Sequence, residues 1–372
     1  MAREYHLVSA DSHILEPPHV WKQYLPRKFH DKAPKVVPDG DGGEAWQFSP
    51  DIAPAPIGIY ASARKHEDVR WTGVTFAEAN QGNFRAEPRL REQDVDGVDA
   101  EVLFGSARMM SHFFSDPDPE FHLAGVQAYN DWIAEEFVKV APERLIGLTC
   151  IPALGVEAAI KEMERGLRLG MRGAWLNTMP SVGPAIRPDD DPFWDAAQAL
   201  GVPVHFHVRV MRQIQKPRPK GARGDDLTGL ANVGAASMIT DLPEIISSGV
   251  HDRFPALTWV QVEAGSGWVP YILEQLDDRW WRNRSWLPVK LKHEPSFYFH
   301  RNWRSTFMVD RYAVQNRHVL GVENIMWSSD YPHHGCDWPE TRRVVDDMFR
   351  DVATAERRRI CALNAVELYK LG

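Results

Sequence analysis

Short apolar runs alternate with amphipathic stretches along most of the chain. From about residue 97 onward, each apolar run of strand length is followed by apolar residues at helical spacing, beginning with 98–104 and 118–143. This alternation is typical of parallel strands joined by right-handed crossovers. Seven runs indicate clear strands, and a weaker eighth lies within 295–310. Eight strands favour an α/β fold of the closed (β/α)8 type, formed as a single domain over residues 1–372.

An open doubly wound sheet is the alternative to the barrel. It is weakened because no strand is followed by a Gly-rich phosphate loop. Residues 19–92 do not follow the alternation, since they are rich in Pro and Gly and carry scattered aromatic residues. We interpret them as an insertion after the first strand, partly hairpin and partly loop. We expect this insertion to pack over the barrel mouth or at a subunit interface.

The composition is that of a globular protein and disfavours two kinds of partner. The 372 residues are 44% hydrophobic and 25% charged, which is ordinary for a globular protein. The net charge of -8 and the lack of a long basic block disfavour nucleic acids and anionic membranes as partners. No run of about 18 apolar residues and no signal core are present, so we expect a cytoplasmic protein. We further expect a small-molecule substrate and a homodimer or homotetramer.

Cysteine usage excludes two kinds of site. Cys150, Cys336 and Cys361 are too few and too scattered for a disulfide framework or a cysteine-based zinc site. A metal ion in this chain would therefore be bound by histidine and carboxylate side chains.

The stretch VSADSHILEPP places an acid and a histidine at the end of the first strand. Side chains alternate along a strand, so Asp11 and His13 point to the same face, and Pro17 and Pro18 prevent the strand from continuing. From this stretch alone, a turn with a local hydrogen bond is the simpler interpretation. Half of a metal site is the alternative.

Other predicted strands also end in histidine or carboxylate residues. Each residue has an ordinary explanation, as a core histidine, a helix cap, a turn residue or a solvated loop residue. Barrel active sites form at this end of the strands, however, and burying such groups together is costly without a cation. The pattern therefore favours one divalent metal ion, Zn²⁺ first and Mn²⁺ as the alternative. The residues are His205 and His207, Glu263, and Asp330 with His333 and His334.

Taken together, the motifs resemble those of the amidohydrolase superfamily. The resemblance is to the branch that contains aminocarboxymuconate-semialdehyde decarboxylase, γ-resorcylate decarboxylase and related metal-dependent hydrolases, and it covers most of the chain. It implies a metal-containing (β/α)8 barrel. The motifs are ADSHILEP, DVDGVDAEVLF, GVPVHFHV, FPALTWVQVEAGSGWVPYILEQLD, ENIMWSSDYPH and ICALNAVELYKL.

The resemblance also implies a set of metal ligands. Asp11 and His13 stand where the family has His-x-His or Glu-x-His, and His207 matches the strand-five ligand. Asp330 matches the strand-eight aspartate, which is both a ligand and the proton-transfer residue. Strand four, RGAWLNTMP, has no lysine of the kind that two-metal members carboxylate, so one metal ion is expected.

Two departures from the family pattern bear on the reaction. Asp11 replaces the commoner histidine, which is a mild change because related decarboxylases have a carboxylate there. Glu263 stands where the decarboxylases usually carry a histidine that takes part in proton transfer. Side chains alternate along WVQVE, so we expect Glu263 to share a face with Trp259 and Gln261 and to point to the barrel interior. A carboxylate at this position would repel the carboxylate of a substrate, unless Glu263 serves only as a cap for the helix near Trp268.

The favoured hypothesis is a metal-dependent hydrolase of a small cyclic or aromatic ester, lactone or amide. The metal would lower the pKa of a bound water from about 15.7 to about 7, and Asp330 would act as the general base. Glu263 and His333 are further catalytic candidates. His334, Arg209 and Arg212 are candidates for substrate binding, although ordinary surface charge is the simpler explanation of the two arginines.

Two alternatives remain. One is a metal-dependent, non-oxidative decarboxylase of an aromatic or unsaturated acid. The other is a barrel without catalysis that serves as a binding scaffold, against which the apparently complete ligand set argues.

Overall fold

The structure is a computed structural model that describes residues 3–49, 53–58, 60–61, 63–183, 185–207 and 235–372. Its strands are β1 (Val8–His13), β2 (Lys35–Pro38), β3 (Glu44–Gln47), β4 (Ala55–Pro56), β5 (Ala100–Phe104), β6 (Leu145–Gly147), β7 (Thr149–Cys150), β8 (Ala174–Leu176), β9 (Val204–Phe206), β10 (Trp259–Gln261), β11 (Trp303–Phe307) and β12 (Ile325–Trp327). Its α-helices are α1 (His19–Gln23), α2 (Ala86–Asp96), α3 (Ala107–Ser115), α4 (Pro119–Ile133), α5 (Val156–Arg168), α6 (Asp191–Leu200), α7 (Ala235–Ser247), α8 (Val250–Arg253), α9 (Val269–Asn283), α10 (Pro295–Asn302), α11 (Arg311–Gln315), α12 (Arg317–Leu320), α13 (Thr341–Met348), α14 (Thr354–Arg358) and α15 (Asn364–Leu368).

The chain divides into two compact units. Unit 1 comprises Met1–Pro152, Glu162–Gly173 and Trp327–Gly372. Unit 2 comprises Ala153–Lys161 and Ala174–Met326. Both units carry predicted site residues.

Unit 1 is built on a parallel sheet in the order β1-β5-β6. The β1–β5 register shifts between Ser9 and Ser12, so β1 has a bulge between these two residues. The segment after β12 runs along β1: the Asp330 amide donates to the Asp11 carbonyl at 3.0 Å, and the His13 amide to the Tyr331 carbonyl at 2.6 Å. The ends of the first and the last predicted strands are therefore neighbours.

The segment 19–92 lies wholly within unit 1 and contains the antiparallel sheet β2-β3-β4. The Ala63 amide donates to the Pro332 carbonyl, and the Leu15 amide to the Asn83 carbonyl, both at 3.0 Å. Helix α2 continues to Asp96, beyond the predicted end of the insertion at residue 92. The segment therefore packs beside the end of β1 and the chain after Asp330, and its role as a lid or subunit contact stays a prediction.

Unit 2 is built on parallel strands in the order β8-β9-β10-β11, with β12 next to β11. Its core is aromatic, with the Trp259 ring 4.7 Å from Trp194 and 5.8 Å from Trp303. The buried His251 accepts a hydrogen bond from the Trp303 indole at 3.0 Å, which satisfies a polar group inside this cluster. Rigid packing of this kind fixes the strand ends that follow it.

The observed elements agree with the predicted alternation. Each of the seven clear strands is present, although the predicted strand at 144–152 is divided into β6 and β7. The weaker eighth strand is β11, but the first part of its run, Pro295–Asn302, is the helix α10. Over the described ranges, no helix has both the length and the apolar composition needed to cross a membrane.

Candidate metal centre

Four predicted site residues come together in unit 1. His13 Nε2 lies 3.5 Å from Asp11 Oδ1 and 3.3 Å from Asp330 Oδ1. His333 Nδ1 lies 3.1 Å from the same Asp330 oxygen, and its ring stacks on His13 with centroids 3.9 Å apart. Asp11, His13 and Asp330 are buried, whereas His333 is half-buried. The acid and the histidine of β1 therefore belong to a larger cluster rather than to an isolated turn.

The backbone around Asp330 explains how its carboxylate reaches this cluster. Asp330 has a φ of +56°, a left-handed conformation that non-glycine residues rarely adopt and that often marks functional sites. It is held there because its amide bonds to β1 and because the Ser329 amide donates to Ser9 Oγ at 2.8 Å. The sequence SSDYP thus leaves β12 in a turn tied to β1.

Electrostatics set the protonation states in this cluster. Burial, with a contribution from His333, lowers the pKa of His13 to about 4. Burial opposes ionisation of Asp330, but the charge of His333 and hydrogen bonds from both imidazoles outweigh it and hold the pKa of Asp330 well below its usual range. A neutral His13 and an ionised Asp330 are the forms in which these side chains bind metal ions.

Two further predicted residues meet in unit 2. His207 directly follows β9 and is buried, and its Nε2 lies 3.3 Å from Glu263 Oε2. Strand β10 ends at Gln261, so the predicted alternation of side chains does not extend to Glu263. Instead Glu263 has a φ of +57°, and its amide donates to Thr306 Oγ1 at 3.0 Å. The left-handed turn, rather than strand pleating, aims this carboxylate at His207.

Glu263 does not serve as the cap of the next helix, which the sequence had left open. The N-cap of α9 is Trp268. In the turn before it, the amides of Ser266 and Gly267 donate to Asp310 Oδ2 at 2.8 and 2.7 Å. Asp310 therefore takes the position at the start of α9 that was considered for Glu263.

The other residues predicted from the sequence are two histidines and two arginines. His205 is a core histidine: it is fully buried, its Nδ1 lies 3.1 Å from the Ala174 carbonyl, and burial lowers its pKa to about 4. His334 is half-buried beside His333. Arg209 and Arg212 lie outside the described residues, so their proposed role in substrate binding stays a prediction.

Sequence reasoning missed a buried polar network beneath β1. Ser12 Oγ lies 3.0 Å from Ser329 Oγ and donates to Glu101 Oε1 at 3.2 Å. Glu101 in turn pairs with the fully buried Arg89. The available signal was weak, because the helix AEPRLREQDVD has few apolar residues, and its i, i+4 pair of Arg89 and Gln93 resembles an ordinary solvated face.

The donor set in unit 1 fits a divalent cation. Asp11, His13, Asp330 and His333 bring carboxylate oxygens and imidazole nitrogens together, and His13, Asp330 and His333 each offer one ligand atom within 4.8 Å of the others. Two buried carboxylates within 3.5 Å of one imidazole nitrogen are costly unless positive charge accompanies them. Mixed oxygen and imidazole donors suit Zn²⁺ and Mn²⁺ alike.

The sequence is similar to those of known amidohydrolases and decarboxylases. The sequence model described as Amidohydrolase matches residues 19–371, a range that begins after Asp11 and His13. Gamma-resorcylate decarboxylase of Polaromonas sp. strain JS666 is 28% identical over 307 residues, which cover 76% of this chain and 87% of that protein.

Solved structures show the same fold. An amidohydrolase from Mycobacterium avium subsp. paratuberculosis K-10 has a TM-score of 0.76 at 20% identity, with 100% of both chains covered. A dihydroxybenzoic acid decarboxylase from Polaromonas sp. JS666, with bound manganese and the inhibitor 2-nitroresorcinol, has a TM-score of 0.64 at 19% identity, covering 99% of this chain and 98% of that one. These similarities confirm the predicted α/β class with parallel strands. Since the family match spans nearly the whole sequence, the chain belongs to the amidohydrolase family.

Proposed function

We propose that this enzyme is a metal-dependent, non-oxidative decarboxylase of a hydroxy-substituted aromatic carboxylate. The observation that carries the proposal is the 28% identity to gamma-resorcylate decarboxylase over 87% of that protein. The manganese-containing dihydroxybenzoic acid decarboxylase supports it through its fold. The hydrolase favoured from the sequence has no comparable support among these relatives, so the decarboxylase alternative is preferred.

We propose that Asp11, His13 and Asp330 of unit 1 bind one divalent cation. His207 stays the further ligand that the sequence predicted. Mn²⁺ is placed ahead of Zn²⁺ because the dihydroxybenzoic acid decarboxylase of similar fold contains manganese. Such a cation, when bound, would neutralise the substrate carboxylate and the neighbouring hydroxyl oxygen. The buried carboxylates and imidazoles of unit 1 are the appropriate partners for it.

The remaining chemistry falls to protein side chains. Asp330, whose carboxylate lies 3.1 Å from His333 Nδ1, would pass the proton of the substrate hydroxyl on to that imidazole. A protonated Glu263 would deliver a proton to the ring carbon that carries the carboxylate. As this C–H bond forms, the bond from the ring to the carboxylate breaks and CO₂ leaves. Glu263 then remains as a carboxylate and regains its proton from solvent, and the proton removed from the substrate hydroxyl returns to that oxygen as the product leaves.

Glu263 was the main argument for hydrolysis, since a carboxylate there would repel an acidic substrate. The side chain, however, lies 3.3 Å from His207 and is 14% exposed. We propose that this position lets Glu263 exchange a proton with His207 and with solvent before the substrate reacts. In its protonated form Glu263 does not repel a carboxylate. It would then act as the proton donor, the role of the histidine that related decarboxylases carry at this position.

The test compares CO₂ release with hydrolysis by the purified full-length protein. The metal would be removed with a chelator and restored with Mn²⁺ or Zn²⁺, and metal content per chain measured. We expect about one ion per chain and CO₂ release from 2,6-dihydroxybenzoate or a related ortho-hydroxybenzoate, lost on chelation and restored by Mn²⁺. Benzoate, which lacks the hydroxyl, is the matched control and should not react.

Two results would change the assignment. Metal-dependent cleavage of esters, lactones or amides without CO₂ release from any hydroxybenzoate would restore the hydrolase hypothesis. Protein that binds no stoichiometric metal would instead favour the non-catalytic scaffold.

A further inference from the structure

Arg89 is a fully buried cation that contacts both segments of the unit 1 cluster. It lies on α2, and its Nη1 donates to the His13 carbonyl at 2.9 Å. Its Nη2 donates to the Tyr331 carbonyl at 3.3 Å, and the guanidinium lies 4.3 Å from the centre of the Tyr331 ring. One side chain thus connects the residue that ends β1 with the residue that follows Asp330.

The charge of Arg89 is matched within the same unit. Its Nε donates to Glu101 Oε2 at 2.5 Å, and Gln93 Nε2 donates to the same oxygen at 2.7 Å. Ser12 Oγ donates to the other oxygen, Glu101 Oε1, at 3.2 Å. A buried ion pair is tolerated when its remaining hydrogen-bonding capacity is satisfied, and here the partners come from β1, α2 and β5.

We infer that Arg89 is a positioning residue that sets the distance between His13 and Asp330 by holding the backbone on either side of them. The planar guanidinium can donate in several fixed directions at once, which a lysine ammonium on a flexible stem cannot reproduce. Arg89 does not touch the reacting atoms in this arrangement. It acts through the His13 and Tyr331 carbonyls, and the inference rests on the proposed metal centre.

A purely structural role is the competing explanation, and Arg144 provides the matched control. Arg144 also ties backbone carbonyls, donating from Nε to the Asp99 carbonyl at 3.0 Å and from Nη2 to the Val98 carbonyl at 3.4 Å. It pairs with Asp94 at 2.7 Å. These contacts lie at the start of β5, whereas the carbonyls that Arg89 holds belong to the cluster itself.

The experiment measures Mn²⁺ affinity and thermal unfolding of the full chain for Arg89→Lys and Arg144→Lys. Both substitutions remove a guanidinium from a carbonyl-binding position, so both should lower the unfolding temperature. Only Arg89→Lys should weaken Mn²⁺ binding, by about 10–100-fold, which is typical when a group supporting a metal ligand is lost. A folded Arg89→Lys variant with unchanged Mn²⁺ affinity would overturn the inference.

If Arg89→Lys does not fold, Glu101→Gln decides the question. It keeps the size of the side chain at 101 but removes the charge that anchors the Arg89 guanidinium, so Mn²⁺ affinity should fall by a smaller factor, roughly 3–10-fold. Wild-type affinity in a folded Glu101→Gln variant would argue against positioning. Wild-type protein that binds Mn²⁺ but releases no CO₂ contradicts the proposed decarboxylation alone, whereas protein that binds no Mn²⁺ overturns both.

Discussion

Asp330 and Glu263 are two carboxylates that each follow a strand, with almost the same φ angle and different surroundings. Their φ angles are +56° and +57°, and each residue follows its strand by two or three positions. The Asp330 side chain is 4% exposed and contacts a nitrogen of both His13 and His333. The Glu263 side chain is 14% exposed and lies against His207.

The same local backbone conformation can therefore serve two chemical purposes. A left-handed residue after a strand turns its side chain across the strand ends, and the neighbours then determine what it can do. The Asp330 amide bonds to β1, and its carboxylate contacts two imidazoles. Its negative charge therefore stays in a fixed position. Glu263 is more accessible, so it is suited to exchange a proton.

The largest effect should follow from Asp330→Asn. Asparagine retains an oxygen for weak coordination but cannot take a proton from the substrate, so kcat/KM should fall about 10³-fold or more, and Mn²⁺ affinity should also fall. Steady-state kinetics with Mn²⁺ in excess, together with a metal titration, measure the two losses separately.

The control for this substitution is Asp337→Asn, in the same segment, which removes a carboxylate that lies 3.4 Å from the exposed His66. It should leave turnover nearly unchanged. Activity of Asp330→Asn within a few-fold of wild type, with metal retained, would show that the proton goes elsewhere and that the two carboxylates do not differ as proposed.

A smaller effect, confined to turnover, is expected for Glu263→Gln. Loss of a proton donor should lower kcat for CO₂ release about 10²-fold while Mn²⁺ affinity stays within a few-fold of wild type. Glu274→Gln, an exposed change on α9, is the matched control. If Glu263→Gln instead abolished Mn²⁺ binding, Glu263 would be a ligand and would resemble Asp330 in its role.

The smallest effect is expected at a third carboxylate, Glu16. Its pKa shows the effect of burial without a contribution from an imidazole. Glu16 is fully buried, its Oε1 accepts a hydrogen bond from the Ser106 amide at 3.0 Å, and burial raises its pKa to about 8. Below its unfolded pKa near 4.5 the group is protonated in both states. As pH rises towards 8, the folded state keeps a proton that the unfolded state releases, so stability falls.

Thermal unfolding of Glu16→Gln and wild type should therefore agree near pH 4 and diverge as the pH rises. At pH 9 the variant should be more stable by roughly 1–3 kcal/mol, because glutamine never has to ionise in this place. The exposed Glu274→Gln change should show no such trend. A difference that does not vary with pH would contradict the raised pKa.

Much of this fold follows from the order of residues along the chain. Apolar runs of strand length, each followed by helical spacing, predicted the parallel strands, and the hydrophobic pattern alone placed His207 and Asp330 at strand ends. Pro17 and Pro18 marked where β1 must stop. Such features are local, since a strand or a helix depends on residues within a few positions of each other.

Which of these residues meet, and in what conformation, depends on contacts between segments that are far apart in the sequence. Alternation predicted that Glu263 would face the interior as part of a strand, but β10 ends at Gln261 and a left-handed turn directs the side chain. The network of Arg89, Glu101, Ser12 and Ser329 joins positions as far apart as residues 12 and 329. No local pattern encodes such contacts, because they arise when strands distant in sequence pair and bury polar groups that must then satisfy one another.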